Sequence, residues 1–537
     1  MFDRKFFKKN DLSINVALVV FVSALISYSY LFFVETGIRA AIPFQVDELW
    51  FLTCAARGLA VGDIPISGCH DNKSPLIYAV YQLAMNPSAP YNFINIKIAA
   101  FVSGAFLASI CGLLGLRLGG RVAALLAASF VLQLFIASPS YLALKTELIG
   151  LIFLSIALFL LFDFRAAHAS LTSLCAGFFV GLALASNQKF LFPFIGILIW
   201  FFLDWLRGPR RSFLSLFKTW CIFCTAASLP TIALFFIFFW NDRQIDFLAS
   251  LFIYPLIYGR AEQIPFIKQL AWRVALIANV LQPMRLHLLV GVGACAAAWM
   301  AWRRAGIGAA SREVISPILL VLVIGSYALI ALMSPLLFGY HLFPVWCLIT
   351  VLAGFYIAVA IKNEVFSIPI SAALLTVAVL SPLALYGSVG AKNEQGKDLY
   401  SYEPVSGYEG KYAYIAGQWP AFYVFNGLIP ASDVMYPTAL PGAPASWAFT
   451  PPDPSSRKGE LLRRLYEYNV PRLLNDFYRT PPSLIFVEDL NANSKPHDQI
   501  SDINVLNKYI LANCKFSKRI EGFFMHEGSL FKCSPQH

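Results

Sequence analysis

Asp47 and Glu48 stand side by side in Val46-Asp47-Glu48-Leu49-Trp50, about a dozen residues past the end of a long apolar run. A carboxylate that close to lipid is costly unless it is solvated or used. Used, it is a general base that takes a proton from a hydroxyl or amine at a membrane surface. Solvated, Asp47 is the N-cap of a helix over 48–60. Further on, His70-Asp71-Asn72-Lys73-Ser74-Pro75-Leu76 presents a lysine just before a proline. Pro75 restricts the backbone of Ser74. Lys73 then either holds a phosphate as a point charge or snorkels towards lipid headgroups. Between these two stretches, Arg57-Gly58 leads to Gly62-Asp63.

Other polar residues sit at apolar-segment ends farther along. Glu147, in Leu144-Lys145-Thr146-Glu147-Leu148, is either neutralised by Lys145 or shares a cleft with Asp47. Gln188-Lys189 and Tyr340-His341 occupy two further turns. Each alone reads as a solvated turn. Together they bring acids and cations to one membrane face, which suits an anionic lipid headgroup reacting with a nucleophile.

The elements that must position these residues are apolar spans. The chain has 537 residues, of which 58% are hydrophobic and 13% charged; soluble domains carry about 25% charged residues. The expected spans are 12–34, 93–116, 120–138, 143–163, 169–186, 190–206, 214–240, 286–303, 313–333, 341–361 and 365–386. That makes about eleven, each near the ~20 residues needed to cross. The first is too long for a signal-peptide core and shows no small-residue cleavage site, so it reads as retained. The net charge of +11 is not a nucleic-acid footprint, because the basic residues sit at span ends. Arg4, Lys5, Lys8 and Lys9, then Arg117 and Arg121, Arg165, Arg207, Arg210 and Arg211, Arg303, Arg304 and Arg312, and Lys362 fall at every second junction. The positive-inside rule makes that side cytoplasmic. Loops 35–92 and 241–285 and the segment after 386 then face outward, across an inner (plasma) membrane whose outer side is the periplasm. Loop 35–92 has about 55 residues where a connector needs a handful, and its aromatic and aliphatic content argues against disorder.

Composition shifts near residue 390. Tyr412-Ala413-Tyr414-Ile415 and Ser483-Leu484-Ile485-Phe486-Val487 read as strands. Residues 460–466 and 503–511 read as helices, and 523–532 as a closing hairpin. The expected organisation is a transmembrane catalytic domain over 1–390, with loop 35–92 carrying its motifs, and a soluble α/β domain over 391–537. Cys111, Cys175, Cys221, Cys224, Cys295 and Cys347 lie in apolar spans as packing residues. Cys514 and Cys533, on the outward and oxidising side, are expected to pair, and Cys54 and Cys69 in the first loop could pair likewise.

Asp47-Glu48, then Arg57-Gly58 to Gly62-Asp63, then Asn72-Lys73-Ser74-Pro75-Leu76 resembles a family pattern: an Asp-Glu pair, a Gly-Asp, and an acid-Lys-Pro-Pro-Leu box. That pattern is the mark of GT-C membrane glycosyltransferases, in particular the protein O-mannosyltransferase-like enzymes and the lipid A aminoarabinose transferases. Thr146-Glu147 resembles their second acidic site, Ala176-Gly177 to Lys189 a recurrent Gly-rich span ending in lysine, and Gly339 to Pro344 a late aromatic-Pro span start. The likeness covers nearly the whole chain. It implies a GT-C-like helical membrane protein that moves a sugar from a polyprenyl-phosphate carrier to an envelope lipid (lipid A or lipopolysaccharide type), glycan or protein acceptor. It implies Asp47, Glu48 and Glu147 as catalytic acids, and Lys73, Arg57, Lys189, Tyr340 and His341 around the donor phosphate. The family acid before the box lysine can bind a divalent metal. Asn72 stands there, so a metal would fall to Asp71 and His70. The second family proline is Ser74. Two other classes are open: a ligase, polymerase or flippase handling the same carriers, told apart by release of free polyprenyl phosphate, and a solute transporter, told apart by midplane acids and repeated halves.

Overall fold

The computed structural model describes residues 4–39, 46–62, 73–162, 169–207, 212–253, 316–333, 339–362, 405–416, 421–435, 453, 455–489, 504–520 and 527–534. In chain order its helices are α1 (Arg4–Phe33), α2 (Val46–Val61), α3 (Leu76–Ala84), α4 (Phe93–Ala137), α5 (Thr146–Phe162), α6 (Ala169–Ser186), α7 (Leu191–Arg207), α8 (Phe213–Trp240), α9 (Gln244–Leu248), α10 (Ser316–Met333), α11 (Phe343–Lys362), α12 (Ala421–Phe425), α13 (Arg457–Arg479) and α14 (Asn504–Asn513). The strands are β1 (Tyr412–Ala416), β2 (Ile429–Pro430), β3 (Leu484–Asp489), β4 (Cys514–Ile520) and β5 (Glu527–Cys533). Two compact units result. One comprises Met1–Ala40, Lys97–Leu234 and Phe266–Gly390; the other comprises Ala41–Ile96, Phe235–Pro265 and Ala391–His537. By compactness, residues 41–96, which take in most of the long loop 35–92, group with the C-terminal segment, whereas the sequence places that loop in the domain over 1–390.

The first unit is helical. Among the described residues, Ile14–Ile38, Phe93–Ala137, Gln188–Leu206 and Phe213–Trp240 are long and apolar enough to cross a membrane, and shorter apolar helices accompany them. Expected spans 286–303 and 365–386 lie outside the described residues; the others fall on helices. Helix α4 is two arms. Gly119 (φ −138°) and Gly120 (φ 78°, ψ −163°) leave helical geometry, and the left-handed φ at 120 needs glycine. The arms then fold back on each other, so that a Cβ on Gly115 would lie 2.6 Å from the Ala123 carbonyl oxygen. A second close approach joins α6 and α8. A Cβ on Gly177 would sit 2.5 Å from the Phe223 oxygen and one on Gly181 2.4 Å from the Ala227 oxygen. This is a Gly-x-x-x-Gly contact, which packs helices where lipid removes the hydrophobic drive. Val102, Leu214 and Phe239 are among the exposed large apolar residues, as lipid-facing positions require.

The second unit is built on a five-stranded sheet of order β2-β1-β3-β5-β4. Strand β1 runs parallel to β2 and β3, and β5 runs antiparallel to β3 and β4. Ser456 caps α13, accepting from the Gly459 N–H at 3.0 Å, which satisfies one of the four unpaired donors of a helix start. The apolar stripe of α13 (Leu462, Leu465, Leu473, Phe477) closes over Tyr414, Ile485, Val487 and Phe531, with Leu506 and Ile510 of α14. The closing hairpin is β4–β5, so its first strand starts at Cys514 rather than near 523. Lysines in Cys514-Lys515-Phe516-Ser517-Lys518 break the apolar pattern of that strand. Cys514 and Cys533 face each other across it and are disulfide-bonded. Helix α2 packs on α3, α12 and β2, burying Leu49, Phe51, Leu52, Ala55 and Ala56. Full burial of one Leu or Phe contributes roughly 1.5–3 kcal/mol, so apolar contact supplies much of the energy that holds this helix.

Candidate active site

In the first unit, the start of α5 gathers a polar cluster. Glu147 is 5% exposed in the first turn, where the helix dipole favours a carboxylate. Thr146 Oγ1 donates to Glu147 Oε2 at 3.0 Å. Asn187 Nδ2 donates to Glu147 Oε1 at 3.1 Å and to Thr146 Oγ1 at 3.0 Å. The same Asn187 caps the turn Gln188–Phe190, its Oδ1 accepting from the Lys189 N–H at 3.0 Å. Lys189 Nζ lies 3.5 Å from Glu147 Oε1, and His341 Nε2 3.9 Å from it. These are Coulombic contacts rather than tight hydrogen bonds. Tyr340 shares the turn Gly339–Leu342 with His341. Tyr327, on α10, is buried against Phe190, and its hydroxyl has no hydrogen-bond partner among the described residues. The first unit thus brings together Glu147, Lys189 and His341, with Thr146, Asn187 and Tyr327 beside them.

In the second unit, Asp47 and Glu48 both lie in the first turn of α2. The helix already includes Val46, so Asp47 lies inside it and is not the N-cap of a helix over 48–60. Glu48 is 1% exposed and Asp47 half-buried. Both act on Tyr81 of α3: burial first, then Glu48 and Asp47, push its phenol well above the ordinary range. Phe51 packs edge-on to Tyr81 with ring centroids 5.4 Å apart. Lys73 is half-buried just before α3. Ser74 and Pro75 form the entry turn of that helix, their carbonyls accepting from Ile77 and Tyr78. Asp71, His70 and Asn72 lie outside the described residues, as does Cys69; Cys54 is disulfide-bonded. Among the described residues no group of three or more His, Cys, Asp or Glu could hold a metal ion.

Arg57, assigned from the sequence to the donor phosphate, is 4% exposed. Its guanidinium donates to the Pro430 carbonyl at 2.7 Å and pairs with Asp476 at 3.2 Å. Asp476 also accepts from Ser432 Oγ at 2.7 Å. Nearby, Arg472 binds both Asp246 carboxylate oxygens at 2.5 Å and pairs with Asp433. Arg243 meets Asp433 at 3.1 Å. Burial pushes Asp433 up, but Arg472, then Arg57 and Arg243, hold it below the usual carboxylate range. Asp476 is pushed above that range by burial and by the charge of Asp433. Nothing local in the sequence announces this network.

A further group escaped the sequence reading. Lys97, fully buried at the start of α4, donates to Glu35 Oε2 at 2.8 Å, to the Glu35 carbonyl at 3.0 Å and to the Arg39 carbonyl at 2.5 Å. Arg39 meets Glu35 at 3.1 Å. The signal was present: a lysine inside the apolar run Ile94 to Ala100 has to find oxygen ligands.

No family model and no curated protein matches the chain. Solved structures do. ArnT from Cupriavidus metallidurans bound to undecaprenyl phosphate superposes with TM-score 0.59 at 12% identity, over 97% of this chain and 99% of that one. The same protein in its apo state gives 0.59 at 11% identity, over the same shares. AglB, the archaeal oligosaccharyltransferase from Archaeoglobus fulgidus, in complex with an inhibitory peptide and a dolichol-phosphate, gives 0.45 at 13% identity, over 96% and 74%. At such identities the likeness is one of fold: over 97% of its length this chain has the fold of the ArnT structure.

Proposed function

We propose that this protein is a membrane glycosyltransferase that moves a sugar from a polyprenyl-phosphate-linked donor to an acceptor hydroxyl or amine on an envelope lipid or glycan at the outer membrane face. The observation that carries the reading is the end-to-end fold likeness to ArnT, whose structure holds undecaprenyl phosphate, in a chain whose α2 opens on two acids. Asp47 serves as the base. As the acceptor oxygen or nitrogen attacks the anomeric carbon, its proton passes to the Asp47 carboxylate. The bond from that carbon to the phosphate oxygen breaks and polyprenyl phosphate leaves, so the anomeric centre inverts. Lys73 supplies positive charge where negative charge grows on the departing phosphate, an interaction stronger in the transition state than before it. Glu48 supports the base and raises the local demand for a proton. Within the first unit, Glu147 with Lys189 and His341 forms a separate polar cluster able to donate and accept hydrogen bonds. The basic clusters at alternate span ends support a cytoplasmic N-terminus and an outward C-terminal domain.

The test is direct. Purified protein in lipid nanodiscs is given a radiolabelled polyprenyl-phosphate sugar with extracted envelope lipids, and released polyprenyl phosphate is followed with label in the acceptor. Mass analysis of envelope lipids and glycans with and without the gene names the sugar and acceptor. Label appearing in protein would make the enzyme a protein O-glycosyltransferase. Carrier movement without any bond cleavage would replace the reading with a flippase.

A further inference from the structure

Helix α2 carries two different loads. Asp47 and Glu48 occupy its first turn, and Arg57 lies ten positions on from Asp47, about 15 Å along the axis. Between them Leu49, Phe51, Leu52, Ala55 and Ala56 are buried. Apolar burial is strong but non-directional, so by itself it leaves a helix free to slide or turn slightly on its neighbours. Thr53 Oγ1 bonds back to the Leu49 carbonyl at 2.6 Å and adds no outside reference. Cys54 is disulfide-bonded, and two directional hydrogen-bonding contacts tie the C-terminal half of the helix to other elements. Gln82 Nε2 donates to the Ala55 carbonyl at 3.2 Å. Arg57 splits its fork, one terminal nitrogen on the Pro430 carbonyl at 2.7 Å and the other on Asp476 at 3.2 Å.

What gives the Arg57 contact its precision is the far side. Asp476, on the long helix α13, is itself fixed by Ser432 Oγ at 2.7 Å and by the Asp433 N–H at 3.3 Å. Asp433 is gripped by Arg472 and Arg243, and Arg472 takes both oxygens of Asp246. Three arginines and three aspartates, drawn from α2, α9 and its approach, the segment after β2, and α13, balance in charge inside one unit. We propose that Asp476 is a positioning residue: through Arg57 it fixes helix α2 along its axis and so sets where Asp47 and Glu48 stand for sugar transfer. This rests on the glycosyltransferase reading for its consequence, but not for its geometry. Asp476 touches no reacting atom. A lysine at 57 would keep the charge yet lose the split fork.

The experiment uses the full chain in nanodiscs, as wild type, Asp476→Asn, Asp476→Glu and Arg57→Lys. Two readouts are taken: donor kcat and KM, and amide hydrogen exchange over residues 46–56, with β3 and β5 as internal references. Asp476→Asn is expected to lower kcat at least tenfold with donor KM within twofold, and to speed exchange over 46–56 while β3 and β5 hold. Asp476→Glu and Arg57→Lys fall between it and wild type, and either replaces it should the amide variant not fold. Unchanged exchange over 46–56 in folded variants overturns the proposal. So does faster exchange with kcat intact. If wild type transfers no sugar at all, the glycosyltransferase reading fails by itself, and the exchange measurement still decides whether Asp476 holds α2.

Discussion

Asp433→Asn should be among the most damaging single changes in the second unit. Asp433 is 2% exposed and is shared by Arg472 and Arg243. Removing one partner of a buried pair typically destabilises by roughly 3–5 kcal/mol, because the remaining charge stays buried without compensation. Arg472 keeps Asp246, which holds the effect within that range. Asp476→Asn should be milder, about 1.5–3 kcal/mol, the magnitude of a hydrogen bond to a charged group. pH separates the two acids, because linkage gives them opposite signs. Burial is outweighed at Asp433 by Arg472, Arg57 and Arg243, so its pKa is lowered. Its contribution is present above the ordinary carboxylate pKa and is lost as pH falls through the lowered value. Burial and Asp433 raise Asp476. Its ionised form is disfavoured in the fold, so stability falls as pH rises from the ordinary value through the raised one. The assay is thermal unfolding in detergent from pH 7 downward, read as wild type minus variant at each pH so that other groups cancel. For Asp433→Asn the difference should shrink at the acid end, below about pH 4. For Asp476→Asn wild type should gain relative to the variant as pH drops towards that value. An Asp433→Asn protein within 1 kcal/mol of wild type, or differences that do not change with pH, would refute the argument.

Asp47→Asn keeps the shape of the side chain but cannot take a proton, so transfer should fall roughly 10²-fold or more with unfolding temperature unchanged; near wild-type turnover removes Asp47 from the mechanism. Lys73→Ala should weaken donor use by about 1.5–3 kcal/mol, the magnitude of a charge-assisted contact, with Lys73→Arg recovering only part; a change confined to acceptor parameters contradicts the phosphate role. Gly181→Ala puts a methyl 2.4 Å from the Ala227 oxygen, so α6 and α8 must separate, lowering stability by about 1–3 kcal/mol as overpacking does; an unchanged melting curve would mean that the helices part freely.

What the sequence made legible was whatever has a local signature. Apolar runs marked α1, α7 and α8 and, as spans 93–116 and 120–138, the two arms of α4, and short apolar stretches marked β1 and β3. Glu147, Lys189 and His341 were each noticed as polar residues at span ends, and the structure gathers them around one carboxylate. Tyr327 was invisible because a tyrosine in an apolar span looks like packing. The ion network was invisible for another reason. Arg57 and Pro430 are 373 residues apart in sequence, and Arg472 and Asp246 are 226 apart. Pairs of that kind leave no periodicity and no spacing rule. A lone arginine on α2 beside a Gly therefore read more easily as a phosphate ligand than as half of a distant clamp. The lysine-rich β4 was missed because strand reading leans on apolar alternation.

The Lys97 clamp bears on how the long loop between the first two apolar spans can change. Lys97 closes onto the carbonyls of Glu35 and Arg39, where α1 runs out of N–H partners, as a cation at a helix C-terminus should. Those residues stand on either side of 41–96, the stretch that leaves the first unit. Both ends of that stretch are thus tied together at its root, whatever lies between them. Lengthening an already closed loop is cheap, about 0.6 kcal/mol for each doubling. Extra length within the stretch that carries Asp47, Glu48 and Lys73 is therefore inexpensive for its roots, while α2 inside it stays bound through Arg57 to Asp476. Insertions between its helices leave the helical scaffold's own register alone, provided that Glu35, Arg39 and Lys97 remain to hold the root.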